Sequence, residues 1–296
     1  MIVAITGGTG FVGGHLIRRA LEAGHSVRAL ARRRQPERGG VEWVIGALDD
    51  RAALEGLVDG VEAVVHVAGV VNAPSRAGFV AGNVEGTRSV LAVSGTRRFV
   101  HVSSLAAREP GLSDYGWSKA EAERLVEASP LRWTIVRPPA IYGSGDLDQL
   151  DLYRLAQRGL ALLPTRGRLS LIAVDDLARL LLALAERDAP RTIYEADDGS
   201  AGWTHEAYAR AIGAAVDRRV RAIHLPRPLL ALAARADRLC RGNKAKLTAD
   251  RVATFSHPDW AIDPLKRPPS ELWRPMIATA DGLADAARWY RAQGLL

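Results

Sequence analysis

Along the first half of the chain, short runs of apolar, often β-branched residues alternate with stretches whose apolar positions recur every three or four residues. The first pattern predicts strands and the second amphipathic helices. Strands are predicted at residues 2–6, 26–31, 41–45, 63–67, 98–102 and 133–136. Helices are predicted at 11–23, 52–58, 81–94 and 115–127. Strands that are apolar on both faces argue a parallel sheet covered by helices on each side. Right-handed crossovers then make it doubly wound, so the expected class is α/β, a doubly wound parallel sheet with a smaller C-terminal lobe. The rhythm changes after about Gly143, where glycine and aspartate crowd residues 143–148. A further buried strand is predicted at 169–174 and a helix at 175–186. Beyond Asp197 the chain reads as helical and irregular, interrupted by Pro226, Pro228, Pro258, Pro264, Pro268, Pro269 and Pro275. An amphipathic helix at 229–239, with arginines on one side, is expected to pack in a core or wall a pocket rather than lie on a membrane.

The first strand runs straight into Thr6-Gly-Gly-Thr-Gly-Phe-Val-Gly13, and a helix follows. Strand, glycine turn and helix leave no side chains where a pyrophosphate must approach. The backbone N–H groups and the dipole of the helix start then favour the phosphates. The domain expectation follows: residues 1–143 form a dinucleotide-binding domain, with 169–187 returning to it, and 144–296 form mostly a substrate-binding lobe.

Tyr115 and Lys119 are four apart on a predicted helix, hence on one face and about one turn from each other. An ammonium beside a phenol favours the phenolate and brings its pKa toward a working range. Ser103 and Ser104 follow the strand at 98–102, at the sheet edge where open parallel sheets bind ligands. A hydroxyl there can orient a carbonyl; a serine at that place can also cap a helix.

Composition narrows the alternatives. The formal charge of +7 comes from scattered residues, 36 of the 40 basic ones being arginine, with one cluster at Arg32-Arg33-Arg34. A nucleic-acid surface would show a basic stripe with aromatics, so no nucleic-acid partner is expected. The single cysteine, Cys240, excludes an internal disulfide and a cysteine metal cluster. No His-Glu-x-x-His and no Gly-x-Ser-x-Gly occurs, so neither a metal site nor a hydrolase elbow is expected. No basic segment precedes the first strand and no apolar run reaches membrane-spanning length, so no membrane span and a cytoplasmic location are expected.

Seven segments in order make the chain resemble an extended short-chain dehydrogenase/reductase of the NAD-dependent epimerase/dehydratase family. They are Thr6–Gly13, His66-Val-Ala-Gly69, Asn83-Val-Glu-Gly-Thr87, Val102-Ser-Ser104, Tyr115-Gly-Trp-Ser-Lys119, Val136-Arg-Pro-Pro-Ala-Ile-Tyr-Gly143 and Val174-Asp-Asp-Leu-Ala178. A softer likeness, through Gly282-Leu283, Trp289-Tyr290 and Gly294, is to members related to 3β-hydroxysteroid dehydrogenases and dihydroflavonol reductases. The resemblance implies a Rossmann domain. In it, Gly7, Gly10 and Gly13 shape the phosphate turn, and Phe11 and Val12 give backbone contacts. Val67, Ala68 and Gly69 lie along the adenosine ribose and pyrophosphate. Tyr115 is the general acid/base, Ser104 orients the carbonyl, and Lys119 holds the nicotinamide ribose. Pro138 and Ile141 contact the nicotinamide, and Asn83 supports the site. Relatives often dimerise through the helices at 81–94 and 115–127, so a homodimer is possible.

Two departures refine this. The residue ending the second strand is acidic in NAD-binding members, whereas here Ala31 is followed by Arg32 and Arg33. A guanidinium pairs with a 2′-phosphate that a carboxylate would repel, so NADP(H) is expected over NAD(H). The family's Gly-Asp-Leu reads Gly46-Ala-Leu48, so adenine contact falls to Leu48, with Asp49 or Asp50 as substitutes. The expected function is an NADP(H)-dependent oxidoreductase interconverting a secondary alcohol and a ketone on a small organic substrate. A cleft between domain and lobe would hold that substrate. The alternatives are a nucleotide-sugar epimerase with tightly bound NAD and a non-catalytic NADP-binding regulatory or assembly protein.

Overall fold

The computed structural model describes residues 1–296 except 165, 188–190, 243, 244 and 246. The chain opens with β1 (Ile2–Thr6), α1 (Phe11–Glu22), β2 (Ser26–Ala31), β3 (Val41–Ile45), α2 (Arg51–Val58) and β4 (Ala63–His66). α3 (Arg76–Phe79) runs through a π-helical turn at Val80–Glu85 into α4 (Gly86–Ser94). β5 (Arg98–Val102), a 3-10 turn at Leu105–Arg108, α5 (Asp114–Glu127) and β6 (Arg132–Val136) follow. Next come β7 (Ala140–Tyr142), α6 (Leu150–Gln157), β8 (Leu160–Leu163), β9 (Arg168–Leu169), β10 (Leu171–Ala173), α7 (Val174–Glu186) and β11 (Thr192–Tyr194). The remainder is β12 (Trp203–Thr204), α8 (His205–Ala215), β13 (Arg221–His224), α9 (Arg227–Arg241), α10 (Ala249–Phe255), β14 (Asp259–Trp260), a 3-10 turn at Pro264–Lys266 and α11 (Thr279–Ala292).

Two compact units result. One comprises residues 1–138, 177–195 and 268–273; the other comprises 139–176, 196–267 and 274–296. In the first, seven strands form one sheet in the order β11-β6-β5-β4-β1-β2-β3. Every neighbouring pair is parallel. The reason is legible in the strands: Val3, Ala4, Ile5, Val64 and Val65 are completely buried, as a sheet covered on both faces requires. The strand order reverses beside β1, and open α/β sheets bind ligands at the carboxyl end of such a reversal. The doubly wound parallel sheet is therefore as expected. β11 is an addition: three half-buried residues carry too little pattern to be read as a strand.

Three other expectations change. The helix anticipated at 81–94 begins at Arg76 and widens into the π turn before α4. The strand anticipated at 169–174 is interrupted at Ser170. Its longer part, β10, pairs with β7 instead of joining the large sheet. α9 is not a core element, since among its described side chains Ala234 alone is buried.

The second unit has its own core of Tyr142, Tyr153, Leu171, Tyr208, Ile212, Leu283 and Tyr290, with Trp203 packed against it. Short pairings, β10 with β7, β13 with β8 and β9 with β12 and β14, frame it. The indoles are anchored structurally: Trp203 Nε1 donates to Asp198 at 2.8 Å and Trp260 Nε1 to the Thr254 carbonyl at 2.7 Å.

In the first unit the end of β6 is tied down by a buried charge cluster. Arg137 donates from Nε to Glu123 Oε1 at 2.8 Å and from Nη2 to Oε2 at 2.5 Å. Its Nη1 lies 3.5 Å from the fully buried carboxylate of Glu195, which Arg108 approaches at 3.4 Å. Buried ion pairs are costly to form, but removing one partner strands the other charge. Arg137→Met is therefore expected to lower unfolding free energy by about 3–5 kcal/mol in a urea titration. A loss below about 1 kcal/mol would show that this cluster is not a buried network.

Candidate active site

The site begins at the turn after β1. Gly7 has φ +73°, and a Cβ on it would lie 2.7 Å from the Ala68 backbone nitrogen. A Cβ on Gly13 would lie 2.1 Å from the Gly7 carbonyl oxygen, so only glycine lets α1 pack this close to β1. Gly10 begins α1 without a side-chain cap, and the first turn carries no acidic residue. The N–H groups around Phe11 and Val12 thus lack the usual side-chain acceptor, and the dipole there is not offset by a carboxylate. The cradle has the shape and sign a pyrophosphate needs.

β2 ends at buried Ala31, and Arg32, Arg33 and Arg34 stand exposed beyond it. No described residue accepts a hydrogen bond from, or forms an ion pair with, their guanidinium groups. Leu48 packs toward α4: a Cβ on Gly86 would meet Leu48 Cδ1 at 2.6 Å. Asp50 caps α2, accepting from the Ala53 N–H at 3.0 Å, while Asp49 is exposed.

The turn Val67-Ala68-Gly69 after β4 is held by a directed chain of hydrogen bonds. The Ala68 N–H donates to Thr6 Oγ1 at 3.2 Å, and Thr6 Oγ1 lies 2.7 Å from His66 Nδ1. His66 Nε2 lies 3.1 Å from Thr87 Oγ1, and the Thr87 hydroxyl donates to the Asn83 carbonyl at 2.6 Å. Since Thr87 spends its proton on Asn83, it must accept from Nε2–H. With the buried ring neutral, Nδ1 then accepts from the Thr6 hydroxyl. Burial, reinforced by the charge of Lys119, agrees: it pushes His66 down to about 3. His101 stacks on His66 at 5.4 Å and is held well below its ordinary value by the same burial.

Asn83, on the π turn, extends the bracing. Its Oδ1 accepts from the Val70 N–H at 2.6 Å, and its Nδ2 donates to the Val70 carbonyl at 2.9 Å and to Ser118 Oγ at 2.8 Å. Ser118 in turn donates to the Tyr115 carbonyl at 2.8 Å. The loop after β4 is thereby fastened to α5. Asn83 was read as a support, whereas Thr6, His66, Thr87 and Ser118 were missed as positioning groups. Their signal was polar residues at apolar strand ends and inside the segments 83–87 and 115–119.

α5 is capped by Ser113, whose hydroxyl accepts from the Gly116 N–H at 3.0 Å, so Tyr115 falls in its first turn. The Tyr115 ring lies 6.1 Å from that of Phe79, and Arg76 stacks 3.8 Å over Trp117. Lys119 is buried, with Nζ donating to the Val102 carbonyl at 2.7 Å. A Cβ on Gly69 would lie 3.7 Å from that nitrogen. Burial lowers Lys119 to about 8, with Glu123 opposing the shift. Ser104 Oγ accepts from the Ala106 N–H at 3.2 Å, which makes it the cap of the 3-10 turn and leaves its proton for donation. Ser103 Oγ is buried with no partner among the described residues. The Ser103 N–H donates to the Val136 carbonyl at 2.7 Å and the Leu105 N–H to that of Pro138 at 3.1 Å. The serines and the start of the Pro138 segment are thus side by side. Ile141 lies on β7 in the second unit.

In the remaining five tyrosines burial disfavours the phenolate. Burial raises Tyr142 to about 12 and pushes Tyr153, Tyr194, Tyr208 and Tyr290 up as well. Among the described residues no group of three or more His, Cys, Asp or Glu is placed to hold a metal ion.

A glycine cradle at the strand-order reversal, joined to a Tyr-x-x-x-Lys helix, defines a nucleotide-dependent oxidoreductase class. Residues 7–188 match the NAD(P)H-binding family. The chain is 36% identical over 309 residues to the ceramide reductase of Caulobacter vibrioides, covering 100% of this chain and 96% of that protein. It is 30% identical over 226 residues to the 4-hydroxy-2-methyl-3-oxo-4-farnesyl-3,4-dihydroquinoline-1-oxide ketoreductase of Stigmatella aurantiaca, covering 66% of this chain and 68% of that one. The Bordetella bronchiseptica enzyme WbmH in complex with NAD+ has the same fold, with a TM-score of 0.77 at 18% identity and 99% of each chain covered. The chain belongs to the NAD(P)H-binding family and is an NAD(P)-dependent enzyme of the extended short-chain dehydrogenase/reductase type.

Thr87→Val keeps the shape but removes the acceptor of His66 Nε2–H. It is expected to cost about 1–3 kcal/mol in urea unfolding, while Thr87→Ser costs far less. Equal stability of the valine variant would refute the directed chain.

Proposed function

We propose that this chain is an NADP(H)-dependent oxidoreductase that interconverts a secondary alcohol and a ketone. The observation that carries the reading is Tyr115 one turn ahead of a desolvated ammonium, in a chain whose other tyrosines are driven up by burial. The residues fit the cofactor. Gly7, Gly10 and Gly13 leave room for a pyrophosphate; Phe11 and Val12 offer N–H groups; Val67, Ala68 and Gly69 give a braced, side-chain-poor edge. Leu48, Pro138 and Ile141 are assigned to the adenine and nicotinamide ends. When bound, NADPH supplies the hydride.

The protein's own share is the proton and the geometry. Tyr115 gives its phenolic proton to the carbonyl oxygen during reduction, and Ser104 donates a hydrogen bond to the same oxygen. Lys119 holds the nicotinamide ribose and stabilises the phenolate that Tyr115 leaves behind. Lys119 is charged below about 8, so reduction should be supported at neutral pH and weaken as pH rises through that value. Arg32 and Arg33 pair with the 2′-phosphate, which supports NADP(H) over NAD(H). The full-length likeness to a ceramide reductase makes a ketone-bearing ceramide-type lipid the first substrate to test.

Three outcomes check this reading. Fluorescence titration should give NADPH about tenfold or more tighter binding than NADH, a difference erased by replacing Arg32 and Arg33 with Ala. NAD held tightly through purification would overturn it in favour of an epimerase. Tyr115→Phe should lower kcat by about 10²-fold or more with NADPH affinity retained. Near-normal turnover would remove Tyr115 from the mechanism. The pH profile of reductive kcat/KM should fall above about 8, and Lys119→Arg should move that limb upward. A limb unmoved by the arginine variant would assign it to another group.

A further inference from the structure

The charge cluster at the end of β6 reaches each part of the candidate site. Glu123 follows Lys119 by one turn of α5, as Lys119 follows Tyr115, so the three share a face. That spacing sets the Cβ atoms of Lys119 and Glu123 about 5–6 Å apart. Arg137, which holds both carboxylate oxygens of Glu123, at 2.8 and 2.5 Å, immediately precedes Pro138. Arg108, which approaches Glu195 at 3.4 Å, closes the 3-10 turn that Ser104 caps. The charges thus alternate from Lys119 through Glu123, Arg137 and Glu195 to half-buried Arg108.

Lys119 needs a counter-charge. Among the described residues its ammonium has the Val102 carbonyl as hydrogen-bond acceptor and no carboxylate in ion-pair contact. A single carbonyl does not offset the desolvation of a buried cation. The titratable and charged groups around it are Tyr115 and Glu123 on α5, His66 on β4, His101 on β5 and Arg137 on β6. Tyr115 carries a phenol, both histidines are neutral and Arg137 is a cation. Among these groups Glu123 alone supplies negative charge.

We propose that Glu123 is a positioning residue of the active site: it is the through-space counter-charge of Lys119, set in place by Arg137, whose own charge Glu195 offsets. Burial lowers Lys119 to about 8 and Glu123 works against that shift, in keeping with this role. The proposal rests on the assignment of Lys119 to the proposed reduction. A cluster that only locks the fold predicts the opposite sign. Loss of a counter-charge lowers the proton affinity of Lys119, whereas a loosened fold lets water reach the ammonium and raises it.

The test reads Lys119 directly. The chain has four lysines, so labelling with lysine carrying 13C at Cε gives four resonances, and that of Lys119 is the one lost in Lys119→Arg. Glu123→Gln keeps the size of the side chain and removes its charge. Lys119 in that variant is expected to titrate with a proton affinity at least about tenfold lower than in the wild type. Glu123→Asp, which keeps the charge, should restore it to within about threefold. An unmoved or higher Lys119 titration in the glutamine variant would overturn the proposal and leave the cluster as a fold lock. A second measurement needs no variant to fold: in the wild type the Cδ resonance of Glu123 should shift at the same pH midpoint as Lys119. A Glu123 signal that stays flat through that midpoint would overturn the proposal as well. Turnover separates this role from the proposed function. If Glu123→Gln lowers the Lys119 titration but leaves the alkaline limb of kcat/KM in place, the limb belongs to another group and the counter-charge stands. If both move down together, both readings hold.

Discussion

The ammonium of Lys119 is the constraint around which the first unit is arranged. It sits buried against the Val102 carbonyl at the end of β5. A charge so placed costs free energy unless neighbouring dipoles are fixed toward it. α5 must therefore pack tightly on the sheet edge, which puts Tyr115 a turn away. Gly69 lies against the same groups: a Cβ there would press on Asn83 Oδ1 at 3.2 Å and come into ordinary contact with Lys119 Nζ at 3.7 Å. The histidines behind the lysine stay neutral chiefly because they are buried, and the charge of Lys119 beside them adds to the effect. One lysine thus links helix, sheet edge and the turn after β4.

The bracing behind that edge explains why the loop after β4 can serve a ligand. Loops free of side chains are mobile unless their backbone groups are bound. Here the Ala68 and Val70 backbones are both taken by Thr6 and Asn83. The widened turn at Val80–Glu85 brings Asn83 to where it reaches the loop and Ser118 together. π turns inside helices recur at functional sites for this kind of repositioning.

Much of this was legible in the sequence, and the reasons are physical. Strands β1 to β6 read clearly because burial on both faces forces continuous apolar runs. The glycine turn after β1 read clearly because Gly7 and Gly13 answer steric demands that no other residue meets. The placement of Tyr115 and Lys119 one turn apart on a helix read clearly because helical spacing is regular. What failed depended on tertiary context. β11 is three residues whose strand character comes only from its neighbour β6. Ser170 splits a continuous apolar run because its side chain and backbone are claimed by other segments. α9 has the periodicity of a packed helix, and periodicity alone does not say whether its apolar face meets a core or faces outward. The roles of Thr6, His66 and Thr87 arise from three segments distant in sequence.

The central claim is a reduction that draws hydride from an exchangeable nucleotide. Its most direct test is turnover of a ketone-bearing ceramide-type lipid with NADPH deuterated at the transferring position of C4, followed by mass spectrometry of product and nucleotide. One deuterium on the new carbinol carbon, with one NADP+ released per product, is the result this account predicts. Product formed without net NADPH consumption, with the redox change confined to a tightly held nucleotide, would contradict it.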